Sequence, residues 1–428
     1  MAFSNEEFVH RKVRFFINYL RDMDTISEVS NNFPANVYIE AAGGICTYKC
    51  VNCPQGLGLV TRERGLMTLD TFQRSIDKIA DHAAEITFAL WGEPTVNKNL
   101  PEFIKYASEK GLYVSLINNG SRMLPELSQK LIDSGLNRIV FSLDVSEKSL
   151  YQEIRVQGVF EKTLFNAFNF LKLNVEQGSK VWVMASMVEN DSEDLKDKFE
   201  EYYSQLPFNQ IYVSRYNNMQ GHLPKRDEFI AEKKTSVAEN KRPICTTPWR
   251  AMSIHWEGSV TACITDFNGY YYIGNMLDDN TATELWNNEE IRALRRGLIT
   301  SDDSHAISKG LRCDNCSHRY QVSDIAFTNA EVEKHLCNEI LKEDKIFTTD
   351  STEYKVLLSE LSRVRQELTP YIDKLGEKNP FKVEVTQQLG KVDESDSKFQ
   401  ITKDFERDVD ALQYQVDDKG FITIVDSN

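Results

Sequence analysis

The chain has 428 residues, 41% of them hydrophobic and 27% charged, with a formal net charge of −15. That length calls for two or three structural units, and the acidic balance argues against nucleic acid as a partner. No run approaches roughly 18 consecutive apolar residues, and no basic start leads into an apolar stretch, so neither a membrane span nor a signal peptide is expected.

The expected compartment is the cytoplasm, where the eight cysteines point to metal ligands or reactive thiols rather than disulfides. In chain order, Phe8, Val13, Phe16, Ile17 and Leu20 recur at helical spacing, which predicts a leading helix within residues 1–35. Six strands follow, at Val37–Glu40, Ile86–Leu90, Tyr113–Ile117, Arg138–Leu143, Val181–Met187 and Gln210–Ser214. Helical patterns lie between them: one capped by Thr68 with Phe72, Ile76 and Ile79 on one face, then Pro101–Glu109, Pro125–Ser134, Leu164–Leu173 and Ser192–Gln205. Such alternation builds a parallel sheet with helices outside. The α/β expectation is a partial (β/α)6 TIM-like barrel over 36–232; a doubly wound sheet gives a similar pattern. In both, chemistry belongs at the C-terminal ends of the strands.

Lys233–Arg242 reads as a charged linker. Residues 243–325 are richer in Cys, Trp and Tyr, with β-like runs at Ser259–Ile264 and Tyr270–Ile273, and read as a small metal-stapled α+β domain. A helical C-terminal extension is expected over 326–428, with helices at Asn329–Leu341 and Thr352–Leu375, a charged tail from Lys391 to Asp408 and a short strand at Phe421–Val425. The stripe Tyr354, Leu357, Leu358, Leu361, Val364 and Leu368 suits packing on the chain's own domain, or association with a partner.

Cys46-Thr-Tyr-Lys-Cys50-Val-Asn-Cys53 follows the first strand and the pair Gly43-Gly44. Three thiolates on one loop can bind three irons of a [4Fe–4S] cube and leave the fourth open for chemistry. Zinc usually takes four protein ligands, and no fourth Cys or His lies nearby. A second set comprises Cys245, Cys263, Cys313 and Cys316, with a C-x2-C knuckle and Gly258 five residues before Cys263. Its spacing alone suits structural zinc and an iron–sulfur cluster equally.

The C-x3-C-x2-C loop after the first strand resembles the radical S-adenosylmethionine (SAM) superfamily, over roughly residues 36–217. Trp91-Gly92-Glu93-Pro94 is similar to that family's GGEP motif, Asn118-Asn119-Gly120 stands in the place of its TNG segment, and Ser142-Leu-Asp144 and Arg155 follow in order. The resemblance implies that the open iron chelates SAM, with Gly92, Glu93 and Pro94 at its ammonium and Ser142 and Arg155 at its ribose and carboxylate. Asn118 and Asp144 are included in the SAM-binding set. Asn52 departs from the pattern, standing where the family carries an aromatic or apolar residue against adenine.

Cys245…Gly258-x4-Cys263…Cys313-x2-Cys316 resembles the SPASM/twitch extension of these enzymes, and its four cysteines imply one fully ligated auxiliary [4Fe–4S] cluster. The implied chemistry is reductive cleavage of SAM, with a reduced flavodoxin or ferredoxin as electron donor. The resulting 5′-deoxyadenosyl radical takes a substrate hydrogen atom. The auxiliary cluster then suits net oxidation of a small polyol or sugar-like substrate. The alternatives are peptide modification (thioether, crosslink or epimerisation) and, in another class, a non-catalytic iron–sulfur or zinc scaffold. Cys337 remains over, as a small buried hydrophobe or a hydrogen-atom donor. His255, His318 and His335 are expected to be structural, Trp249 and Trp286 to be core, and Tyr212, Arg215 and Asn217 to stand near substrate by position alone.

Overall fold

A computed structural model of the chain describes residues 26–34, 36–189, 193–223, 244–319, 345–373, 414–416 and 422–424. The expected leading helix, the 233–242 linker, the 329–341 helix with His335 and Cys337, and the 391–408 tail lie outside the described residues.

The first half runs β1 (Asn36–Ile39), the short strands β2 (Ala42–Gly43), β3 (Lys49–Cys50) and β4 (Gly65–Leu66), then α1 (Leu69–Ile79), β5 (Glu85–Phe88), α2 (Leu100–Glu109), β6 (Tyr113–Asn118), α3 (Pro125–Asp133) and β7 (Arg138–Ser142). It continues through α4 (Lys148–Ile154), β8 (Arg155–Val156), α5 (Phe160–Glu176), β9 (Trp182–Val188), α6 (Glu193–Tyr203) and β10 (Gln210–Ser214). The second half holds α7 (Thr247–Arg250), the strands β11 (Ala251–Ile254), β12 (Ser259–Thr261) and β13 (Tyr272–Asn275), and helices α8 (Ala282–Trp286), α9 (Glu289–Thr300) and α10 (Ser304–Ser308). Helix α11 (Thr352–Asp373) and the hairpin β14 (Tyr414–Val416) and β15 (Ile422–Ile424) complete it.

All six expected major strands form, with ends within two residues of the expectation, and Thr68 caps α1 by accepting from Thr71 N at 3.1 Å. They join one nine-stranded sheet, ordered β10-β9-β7-β6-β5-β1-β11-β12-β13. The run from β10 to β11 is parallel, and β12 and β13 add antiparallel. The expected boundary between barrel and Cys-rich unit is therefore crossed by the sheet, because β11 pairs with β1 from Asn36↔Ala251 to Ile39↔Ile254.

Strand alternation sets the layers. Val37, Ile86, Phe88, Val114, Ile139, Phe141 and Val183 face the helices and are fully buried. Phe72 of α1, for example, stacks on Phe103 of α2 with ring centroids 4.4 Å apart and lies 5.7 Å from Phe88. The other face curls inward. Four strands, β9, β7, β6 and β5, lie between β10 and β1 in the sheet order. Helix α11 packs along α5: Tyr354, Leu357, Leu361, Val364 and Leu368 are buried, and Tyr354 Oη donates to Glu176 at 2.8 Å. Packing on the chain's own domain thus accounts for the stripe, while Leu358 stays outside it, exposed. Trp249 and Trp286 are core as expected, flanking the Arg295 guanidinium. No helix among the described residues is long and apolar enough to cross a membrane.

Candidate functional site

Cys46, Cys50 and Cys53 sit on the loop beyond the C-terminal end of β1, stitched to the segment that follows β5. Gly44 N donates to Trp91 O at 2.9 Å, and Glu93 N donates to Ile45 O at 2.8 Å. Gly92 is required there: a Cβ would lie 1.8 Å from Ala42 O. Farther along the loop, β3 pairs antiparallel with β8, setting Cys50 opposite Arg155.

Burial raises all three thiols, Cys50 to about 12. For Cys46 the Glu93 carboxyl and Cys50 add to the effect. Such thiols become thiolates only beside concentrated positive charge. Donors already point at the sulfurs: Asn119 Nδ2 lies 3.7 Å from Cys46 Sγ, Arg155 Nη1 lies 3.9 Å from Cys50 Sγ, and the Gln55 and Gly56 amides bond Cys53. N–H donors to sulfur are the usual surroundings of an iron–sulfur cluster. The donor set therefore fits a cluster.

The residues expected at SAM gather around this loop. Glu93 is buried and accepts from Thr95 N (3.1 Å), Thr95 Oγ1 (2.6 Å) and Asn119 N (2.8 Å). Burial raises its pKa against those donors. Pro94 opens the short 3-10 turn Pro94–Val96 that Glu93 caps. Asn118 turns away: its Oδ1 accepts from Gly120 N, and its Nδ2 donates to Val140 O. The neighbouring Asn119, which the sequence reading passed over, is the one reaching Cys46 and Thr47.

Asp144 lies at φ +64 and pairs with Arg155 through Nε and Nη2, both at 2.8 Å. Its other oxygen accepts from Val188 N at 3.1 Å. Burial alone would lower the Arg155 pKa, but Asp144 and then Cys50 outweigh it. Ser142 ends β7 half-buried, with no hydrogen-bond partner for its hydroxyl among the described residues.

The second four cysteines also come together. Burial raises Cys263 and Cys313; Asp266, Cys316 and Cys245 add to it at Cys263, and Cys263, Cys245 and Cys316 at Cys313. Cys316 rises to about 11 through burial and Cys245, against the Arg319 and His318 amides. Gln220, from the loop after β10, donates to Cys263 Sγ (3.7 Å) and Thr265 Oγ1 (3.1 Å) and accepts from Arg312 N (2.9 Å). The four thiols and their N–H donors fit a polynuclear cluster. Asn217, expected near substrate, instead caps its own turn by accepting from Met219 N.

Glu40, at the end of β1, joins the two regions. It is wholly buried and accepts from Arg62, His255 Nδ1 (3.2 Å) and Trp256 N (3.4 Å). Arg62 Nε donates to Phe267 O at 3.0 Å, four residues beyond Cys263. Above this junction Trp91 and Phe267 meet edge to face at 5.7 Å. His255 is structural as expected, but its partner was not foreseen.

The Radical SAM superfamily model matches residues 42–200, and the SPASM iron-sulfur cluster-binding domain model matches 245–317. An AdoMet-dependent heme synthase of Methanosarcina barkeri (strain Fusaro / DSM 804) is 31% identical over 134 residues, 31% of this chain and 38% of the relative. Fe-coproporphyrin III synthase of the same organism is 25% identical over 243 residues, 55% of this chain and 57% of the relative. The chain thus spans less than two thirds of either relative's length. The crystal structure of Streptococcus suis SuiB bound to precursor peptide SuiA shares the fold at a TM-score of 0.51 and 14% identity, covering 65% of this chain and 70% of that one. The cofactors are SAM, a [4Fe–4S] cluster and auxiliary iron–sulfur in the SPASM domain. The chain thus carries a radical SAM domain, with its cysteine loop beyond β1, followed by a SPASM iron–sulfur cluster-binding domain that holds the second cysteine set.

Proposed function

We propose that the chain is an enzyme that oxidises a small hydroxylated substrate, polyol or sugar-like, at a carbinol carbon. Cys46, Cys50 and Cys53 are the ligands of the SAM-binding cluster, and Cys245, Cys263, Cys313 and Cys316 those of one auxiliary [4Fe–4S] cluster. When bound and given one electron by reduced flavodoxin or ferredoxin, SAM supplies a 5′-deoxyadenosyl radical that takes a hydrogen atom, and the auxiliary cluster accepts a further electron. The balance is one hydrogen atom to the deoxyadenosyl carbon, one electron to the auxiliary cluster and one hydroxyl proton to solvent, leaving a carbonyl.

The chain's residues hold the cofactor for this step. Glu93, a buried carboxylate already fixed by three donors, receives the SAM ammonium, with Gly92 and Pro94 shaping the turn. Ser142 offers its hydroxyl to the ribose. Arg155, oriented by Asp144, faces the SAM carboxylate. Asn118 holds the backbone turn that presents Asn119.

The observation that supports oxidation is the second set: four cysteines whose thiols feel one another, enough to ligate every iron of one cube and leave none for substrate. The test incubates anaerobically reconstituted, reduced protein with SAM and carbon-deuterated polyols. Deuterium in 5′-deoxyadenosine together with a carbonyl product supports the reading. Label passing from a peptide instead supports thioether formation, crosslinking or epimerisation. No 5′-deoxyadenosine, or zinc without iron, supports a scaffold.

A further inference from the structure

Three buried hydroxyls meet behind the first cysteine loop, and neither the cofactor contacts nor the proposed oxidation uses them. Tyr48 stands midway in the loop, two residues after Cys46 and two before Cys50. Its Oη lies 2.7 Å from Oγ1 of Thr163 on α5. Tyr151 on α4 brings its own Oη to 2.9 Å from the same Thr163 oxygen. Thr163 and Tyr151 are fully buried, and Tyr48 is 4% exposed. Burial pushes both phenols up, so they stay neutral. A threonine hydroxyl has one proton and two lone pairs, enough to bond both phenols at once.

Their attachment points give these hydroxyls a use. Cys50 on β3 faces Arg155 on β8, and Arg155 Nη1 lies 3.9 Å from Cys50 Sγ. Tyr48 precedes Cys50 by two residues, and Tyr151 precedes Arg155 by four, about one helical turn. Both sides of the N–H···S contact are thus anchored, within a few residues, to one oxygen. That oxygen is itself held in place. The Thr163 methyl carbon lies 2.9 Å from where a Cβ on Gly120 would stand, and one turn farther along α5 Asn166 Nδ2 donates to Gly120 O at 2.8 Å. Tyr151 is hemmed in by Phe160, with ring centroids 5.1 Å apart, and by Gly158, where a Cβ would come within 2.8 Å of its ring. An apolar core of the same shape would be about as stable, but hydroxyls that must bond one another admit one arrangement.

We infer that Tyr48, Thr163 and Tyr151 are positioning residues for the first cluster: their shared hydroxyl contact holds the Arg155 guanidinium at Cys50 and so sets that cluster's reduction potential. The inference rests on Cys46, Cys50 and Cys53 being the ligands of that cluster, and it is independent of the substrate. An N–H donor at a cluster sulfur favours the reduced, more negative state. Slack in the contact therefore makes the potential more negative.

The test is an EPR-monitored redox titration of the reconstituted full chain, with the second cluster as internal reference. Thr163→Val keeps the side chain's shape and removes the shared hydroxyl. It is expected to lower the equilibrium constant for reducing the first cluster about tenfold, which is about 59 mV for one electron, and to leave the second cluster unchanged. Thr163→Ser keeps the hydroxyl and is expected to stay within about twofold of the parent. Tyr48→Phe and Tyr151→Phe together should match Thr163→Val, and adding Thr163→Val to that pair should shift nothing further, because the three act as one unit. An unchanged first potential in Thr163→Val, or an equal shift in Thr163→Ser, overturns the inference and leaves the cluster assignment standing. Where Thr163→Val loses iron at both sites, Tyr48→Phe alone decides: a more negative first potential supports the inference, and an unchanged one overturns it. A parent chain whose cluster signals all survive loss of Cys46, Cys50 and Cys53 overturns the cluster assignment and the inference with it.

Discussion

Asp144→Asn isolates the charge that orients Arg155. Asparagine tolerates the φ of +64 at this position and still accepts from Val188 N, so only the anion is lost. Asp144 and Arg155 are 3% and 8% exposed, and the guanidinium then stays beside Cys50 with no compensating carboxylate. Removing one partner of a buried ion pair costs about 3–5 kcal/mol, and because the amide keeps a hydrogen bond we expect about 3 kcal/mol. Urea unfolding of the metal-free chain at neutral pH measures it. The unscreened Arg155 charge should also make the reduction potential of the first cluster more positive in an EPR-monitored titration. A loss below about 1 kcal/mol, the level of an exposed pair, with an unchanged potential would refute the claim that Asp144 governs Arg155.

Three further outcomes follow from single positions. Burial alone would raise the Glu40 pKa, but Arg62 and His255 outweigh it and hold it at about 2 against an ordinary 4.5. Its contribution is therefore complete above pH 4.5 and lost as pH falls toward about 2, so the urea midpoint should decline less steeply between pH 5 and 3 in Glu40→Gln than in the parent. Gly92→Ala drives a methyl into Ala42 O and should cut iron in the first site by more than half while the second site keeps its own, read by iron analysis and EPR. Leu361→Ala opens a gap between α11 and α5 and should cost about 2–5 kcal/mol in urea unfolding.

The barrel strands were legible because each carries its own apolar alternation and stands between helices with clear start signals, the Thr68 cap and the first-turn Pro125 among them. Strand β11 was not: Ala251–Ile254 is four residues long, and its pairing with β1 joins positions more than 200 residues apart. The same distance hid Glu40, which in sequence is one acid after a strand and in space is the acceptor for Arg62, His255 and Trp256. The cysteine sets stand out in the sequence because their spacing is local in the first and includes a C-x2-C knuckle in the second. Asn119 was missed because the sequence pattern cannot say which of two adjacent asparagines turns toward the sulfur; Asn118 spends its side chain on its own turn.

The most direct test of the central claim is iron, sulfide and SAM turnover measured together on anaerobically reconstituted, reduced protein. Two [4Fe–4S] clusters predict about eight iron and eight sulfide per chain, with 5′-deoxyadenosine formed from SAM. Replacing Cys46, Cys50 and Cys53 by Ala should remove about four iron and all SAM cleavage, leaving the second cluster's signal. Zinc in place of iron, or SAM cleavage that survives loss of those three cysteines, would contradict the assignment.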